Sequence, residues 1–188
     1  MIDGVLGFID TPAQGNKRPD SVDWCADNGC FSNKWTETHW WQWLNKQPQT
    51  MRFATVPDVV ADWTATLERF EQYAPQMTSA GFPIAVVAQD GAQVNSIPWQ
   101  RISAVFIGGS TEWKLSKTSE SIIQEANRRA VWCHVGRVNT FRRLRWARDA
   151  GADSVDGTML TFQPTENFAK LRRWLRVLED SQPLPIGN

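Results

Sequence analysis

The sequence predicts an α/β protein built on a parallel sheet, and within that class a compact (β/α)8-like TIM barrel. Two observations carry this. Short continuous apolar runs, the pattern of strands buried on both faces, alternate with amphipathic helical stretches along the chain. Seven such runs fall within 188 residues, fewer than the roughly 250 usual for that barrel. The eighth strand is therefore expected to be short or missing, and residues 1–188 are read as one domain. An open doubly wound sheet is the competing arrangement. It is weakened because neither a GxGxxG nor a GxxxxGK[ST] phosphate loop is present.

The expected strands, in order, are GVLGFID (4–10), VDWCADNG (22–29), MRFATVPD (51–58), PIAVVAQDG (83–91), AVFIGGS (104–110), AVWCHVGR (130–137) and DSVDG (153–157). TMLTF (158–162) is the one stretch that could serve in part as an eighth. Between them, 61–74 sets Trp63, Leu67, Phe70 and Ala74 on one helical stripe, and 119–129 repeats the pattern. The helix over 140–151 has Thr140 as its N-cap and Gly151 as its C-terminal glycine. A last helix over 165–180 presents Phe168, Leu171, Trp174, Leu175 and Leu178 on its apolar face.

Composition excludes several classes. No run of about 18 apolar residues exists to span a membrane. The first ten residues carry acids and no basic leader, so they are not read as a secretion signal. Cys25, Cys30 and Cys133 form no disulfide framework, which fits a reducing cytoplasm, that of the host if the chain is phage-encoded. With His39 or His134 they match no zinc spacing, so no metal is expected. Net charge is zero, yet residues 126–188 hold eleven basic side chains against six acids. That basic third suits a phosphate-bearing partner, although solvated helix faces would produce it as well. Eleven tryptophans are present, three of them in THWWQWL (38–44), where packing is a commoner use than stacking on bases.

In a barrel of this kind the C-terminal strand ends converge on one mouth. Read in order, those ends are Asp27-Asn28-Gly29, Pro57-Asp58, Gln89-Asp90-Gly91, Gly108-Gly109-Ser110, Gly136-Arg137 and Asp156-Gly157. They recur 19 to 31 residues apart, room for one helix and one strand each. Any single aspartate there could be a helix N-cap, and Asp58, just before a helix start, is the strongest case. Two aspartates with a glutamine, and no Ser-His-Asp set, suit cleavage at an anomeric carbon. One carboxylate attacks or stabilises the sugar carbon while a second acid protonates the leaving group. A carboxylate and a carboxamide can also read a purine edge.

CADNGCF (25–31), VPDVV (56–60), VVAQDG (86–91), FIGGS (106–110), HVGRVN (134–139) and GADSVDG (151–157) resemble, in this order, the motifs of the tRNA-guanine transglycosylase superfamily. The resemblance covers about residues 22–160. It is closest to the DpdA-type enzymes, which exchange guanine in DNA for a 7-deazaguanine. It implies Asp156 as the nucleophile at C1′, Asp27 as the acid/base, and Phe31 as a ring stacking on the base. Asp58 and Gln89 would bind the purine edge, Gly108 and Gly109 would meet the base through their backbone, and Asn28 and Gly136 would line the same pocket. Asn28 stands where the tRNA enzymes have serine. The C-terminal zinc site of those enzymes has no counterpart here, which favours DNA over RNA as partner. Arg137, Arg142, Arg143, Lys114 and Trp113 then become candidates for nucleic-acid contacts. The expected co-substrate is a free 7-deazaguanine base, such as the 7-cyano form, with no cofactor and with room for a homo-oligomer. The alternatives are a tRNA-guanine exchange, a nucleoside hydrolase or deoxyribosyltransferase, and a nucleic-acid-binding barrel without catalysis.

Overall fold

The structure, a computed structural model, describes residues 6–181 apart from 16 and 33. Each of the seven apolar runs contains a strand: β1 (Phe8–Asp10), β2 (Trp24–Ala26), β3 (Ala54–Thr55), β4 (Ile84–Ala88), β5 (Ala104–Ile107), β6 (Trp132–Val135) and β7 (Ser154–Val155). Positions 4 and 5 of the expected first strand lie outside the described residues. All pairings are parallel, and the order across the sheet is the order along the chain. A doubly wound sheet reverses its strand order at a switch point. This order never reverses, so the competing arrangement is excluded.

The sheet curls into a half-barrel. Phe53, one residue before β3, and His134 in β6 are separated by two intervening strands, yet their ring centres are 5.7 Å apart. Strands spaced about 4.8 Å would put those positions roughly 14 Å apart in a flat sheet. The Arg52 guanidinium likewise reaches to 4.1 Å from the centre of the Trp132 ring. Among the described residues the half-barrel does not close, for β1 and β7 are its two ends.

The eighth strand expected over 158–162 is not formed. Met159–Thr161 make one 3-10 turn instead, and α6 (Pro164–Asp180) begins directly after it. Asn167 explains why: its side-chain amide donates to the Met159 carbonyl at 2.9 Å and also to that of Phe162. The Met159 N–H meanwhile donates to the Asn139 side chain at 3.1 Å. Those are groups that a strand would have spent on its ladder.

The other helices are α1 (Glu37–Leu44), α2 (Trp63–Ser79), α3 (Thr111–Lys114), α4 (Lys117–Arg128) and α5 (Phe141–Ala150). Thr140 and Gly151 cap α5 as expected, the latter in the left-handed region at φ +98°. Asp58 is not the cap of α2. Asp62 takes that role, its Oδ1 accepting from the Ala65 N–H at 3.0 Å.

Side-chain alternation along the strands builds two apolar layers. Outward residues such as Val86, Ile107 and Val135 pack against Phe70 and Met77 of α2, Ile122 and Ile123 of α4, and Ala147 of α5. Inward residues Cys25, Phe53, Ala85, Val87, Ala104 and Phe106 form a smaller core on the concave side. None of the eleven tryptophans is exposed; Trp40 of the 38–44 cluster is 1% accessible and lies edge-on to Tyr73. No helix among the described residues is long and apolar enough to cross a membrane.

Candidate active site

The same alternation decides which residues reach the mouth. Phe106, His134 and Ser154 are in register on adjacent strands and point to the concave side. Two residues further along each strand stand Gly108, Gly136 and Asp156. By the same count Cys25 leads to Asp27, and Val87 to Gln89. The rim of the half-barrel therefore gathers five of the residues marked by the sequence.

Asp156 is hydrogen-bonded at one carboxylate oxygen and faces a histidine with the other. Oδ1 accepts from the backbone N–H of Arg137, and Oδ2 lies 3.6 Å from His134 Nε2. Arg137 adopts φ +59°, unusual for a side chain other than glycine, and this turn aims its N–H at the carboxylate. Burial by itself would raise the Asp156 carboxyl. The His134 contact, the Arg137 N–H and the Lys114 ammonium outweigh it, and hold the group below the usual carboxylate range.

Asp27 is displaced the other way. Its Oδ1 accepts from the Gly29 N–H at 2.7 Å, closing a tight turn after β2. Burial, opposed by that hydrogen bond and reinforced by the negative charges of Asp58 and Asp156, pushes its carboxyl up to about 6. Two carboxyls on one rim are thus displaced in opposite directions, Asp27 upward and Asp156 downward.

Asp58, Asn28 and Gln89 are brought together, but they are bound to one another. Asp58 Oδ1 accepts from Asn28 Nδ2 at 2.9 Å, and its Oδ2 from Gln89 Nε2 at 2.5 Å. Gln89 Oε1 accepts from the backbone N–H groups of Gly109 and Ala61 at 2.8 and 2.9 Å. Asn28 also receives the Cys30 N–H, donates to the Val56 carbonyl and binds Thr55 Oγ1 through its own N–H. All three are at most 7% exposed, so this network ties the ends of β2 to β5 together from inside. Gly109 needs its missing side chain. At φ +68°, a Cβ would stand 2.6 Å from the Trp113 ring and 2.7 Å from Asp90 Oδ2.

The residues expected to meet nucleic acid divide into two groups. Arg142 and Arg143 open α5, the former exposed and the latter partly so. Lys114 is 3% exposed and donates to the Gly136 carbonyl inside the rim, so it does not offer a surface charge to phosphate. Burial, then the neighbouring Arg137, lowers its ammonium to about 8. Trp113 packs behind Gly109. Arg137 also turns inward, donating to the Gly109 carbonyl, with its guanidinium 5.2 Å from the Phe31 ring centre. Phe31 itself is 69% exposed on the loop after β2, an aromatic face at the mouth.

His134 is the residue that sequence reasoning passed over, having weighed it only as a metal ligand. Its inward position, two before Gly136 in WCHV, was the available signal. Among the described residues no three His, Cys, Asp or Glu side chains come together to hold a metal ion. Two open surface hollows are present, one at Gln93–Asn95 with Lys117, Thr118 and Ser121, the other around Asp10 and Arg18, beside Asp27, whose N–H donates to the Asp10 carbonyl at 2.8 Å. A scan against models of known protein families finds no match for this chain, and neither does a search of curated proteins.

Proposed function

We propose that this chain is a base-exchanging transglycosylase of the tRNA-guanine superfamily, of the DpdA type. It would be a compact (β/α) barrel lacking its eighth strand, acting in the cytoplasm on guanine in DNA. The observation that carries the reading is the opposite displacement of two rim carboxyls, Asp156 held ionised and Asp27 raised to about 6. That is the division of labour that glycosyl transfer through a covalent intermediate requires.

In the first step an Asp156 oxygen attacks C1′ of a guanosine whose base has left the stack, and the C1′–N9 bond breaks. The electron pair of that bond stays on N9, which takes the Asp27 proton as guanine departs. A glycosyl ester of Asp156 remains. In the second step N9–H of a 7-deazaguanine, such as the 7-cyano form, gives its proton to Asp27 while N9 attacks C1′. The ester bond then breaks and Asp156 is again a carboxylate. Neither ATP nor a redox cofactor enters this balance.

Phe31, exposed at the mouth, supports stacking of the base, and the basic start of α5 supports a phosphate-bearing substrate. The Asp58–Gln89 pair supports base binding once its mutual hydrogen bond is exchanged for the purine edge. The test is incorporation of labelled guanine or 7-cyano-7-deazaguanine into guanine-containing DNA, with RNA in parallel. Wild type should incorporate label and Asp156→Ala should not. Indistinguishable results on both nucleic acids would overturn the reading.

A further inference from the structure

Inside the rim, Trp132, Ser154 and His134 form a hydrogen-bonded chain whose free end, His134 Nε2, faces Asp156. Trp132 Nε1 donates to Ser154 Oγ at 3.0 Å. An indole nitrogen can only donate, so that contact uses an acceptor site of Ser154 and leaves its hydroxyl hydrogen available. His134 Nδ1 lies 2.8 Å from the same Oγ. With the serine hydrogen directed at Nδ1, the proton of the neutral ring resides on Nε2. Nε2 is fully buried and has no hydrogen-bond partner; the acceptor it faces is Asp156 Oδ2, 3.6 Å away. The ring has little freedom to turn elsewhere: Phe106 lies 4.6 Å from it, centre to centre, and Phe53 5.7 Å.

We propose that His134 is a positioning residue for Asp156: it donates from Nε2 to Oδ2, fixes the carboxylate rotamer, and stabilises the charge that returns when the glycosyl ester breaks. This rests on Asp156 being the nucleophile. When Asp156 attacks, its negative charge passes into an ester. When the incoming N9 displaces it, the C–O electron pair returns to the carboxylate and the Nε2–H bond strengthens. A donor whose bond is strongest to the developing charge accelerates that step. The charged groups around Asp156 are Lys114 of α3, Arg137 after β6 and Asp27 after β2, and none of them hydrogen-bonds Nε2.

Two variants separate positioning from packing. His134→Phe keeps a flat ring between the two phenylalanines and removes the donor. His134→Gln restores an N–H at the reach of Nε2. The turnover rate of base exchange should fall about 100-fold in His134→Phe, the scale of one lost donor to a developing oxyanion. KM for the base should stay within about threefold, and His134→Gln should recover at least about tenfold. Rapid quenching should show the Asp156–DNA adduct accumulating in His134→Phe, since its breakdown is the slowed step. Carboxyl 13C NMR of Asp156 reads the contact whatever the reaction: its titration should move upward in His134→Phe and return in His134→Gln. That NMR result with no exchange by wild type would overturn the transglycosylase reading and keep the His134 contact. A folded His134→Phe protein with unchanged turnover and unchanged Asp156 titration would overturn the proposal.

Discussion

Asp27 after β2 and Asp156 after β7 have four strands between them in the sheet, yet the charge of Asp156 is one of the causes that raise Asp27. Curling of the sheet makes neighbours of residues 129 positions apart in the chain. The consequence is an asymmetric pair, in which the acid half works only while protonated and the nucleophile only while ionised.

A bell-shaped pH dependence follows. Asp27 must be protonated to release guanine, so kcat/KM should decline above about pH 6. Asp156 is held below the usual carboxylate range, so the acid limb should lie under about pH 4. Because the two carboxyls interact, both limbs belong to the pair. Initial rates of labelled-base incorporation, followed from well below pH 4 up to pH 9, would show this. A flat profile through pH 6 would remove Asp27 from the proton transfer.

The same displacement affects stability. A raised carboxyl binds its proton more tightly in the native state than in the unfolded chain. Its relative stabilisation is complete below the unfolded value near 3.9 and is lost as pH climbs through about 6. Above that, ionised Asp27 strains the fold by on the order of 2–3 kcal/mol. Asp27→Asn should therefore abolish exchange while raising the urea midpoint at pH 8, with little change at pH 4. Equal midpoint changes at both pH values would contradict the assignment.

The Asn28–Asp58–Gln89 network makes a contrasting case. Asp58 receives two side-chain N–H groups, one on each oxygen. Asp58→Asn puts an amide donor against one of them and leaves a buried N–H unpaired, at a cost of about 1–3 kcal/mol. Gln89→Leu frees Gly109 and Ala61 N–H groups as well as an Asp58 oxygen, and should cost more. Denaturant unfolding would rank them; a Gln89→Leu protein as stable as wild type would show that the network is not structural.

All seven strands were legible because buried parallel strands leave unbroken apolar runs, but their ends were not. VDWCADNG yields only Trp24–Ala26, since the Asp27 turn to Gly29 withdraws the backbone from the ladder. The rim was readable by counting in twos from inward residues, which reaches Asp27, Gln89 and Asp156. His134 obeys the same count, but a lone histidine in an apolar strand carries no signal without its neighbour Ser154, which the pairing of β6 with β7 brings beside it. Lys114 misled because α3 is a single turn whose direction depends on Asp90 gripping Ser110 at its N-cap. The absent eighth strand was hidden for a similar reason, since the Asn167 amide that occupies its carbonyls lies in the following helix.

The basic start of α5 supplies the last prediction, one that separates a polymer substrate from a free nucleoside. Each arginine that neutralises a phosphate contributes about one to the slope of log affinity against log salt. Arg142→Ala and Arg143→Ala together should reduce that slope by about two for guanine-containing DNA and weaken binding across sequences. Arg143 is only partly exposed and its charge helps to lower Lys114, so its single variant should also shift Lys114 upward. Arg142 is exposed and should affect the salt slope alone. Fluorescence anisotropy with labelled DNA at several salt concentrations measures this directly. If both variants bind DNA with the wild-type slope while acting on free guanosine, the substrate is a nucleoside, and the charge on α5 is only a solvated helix face.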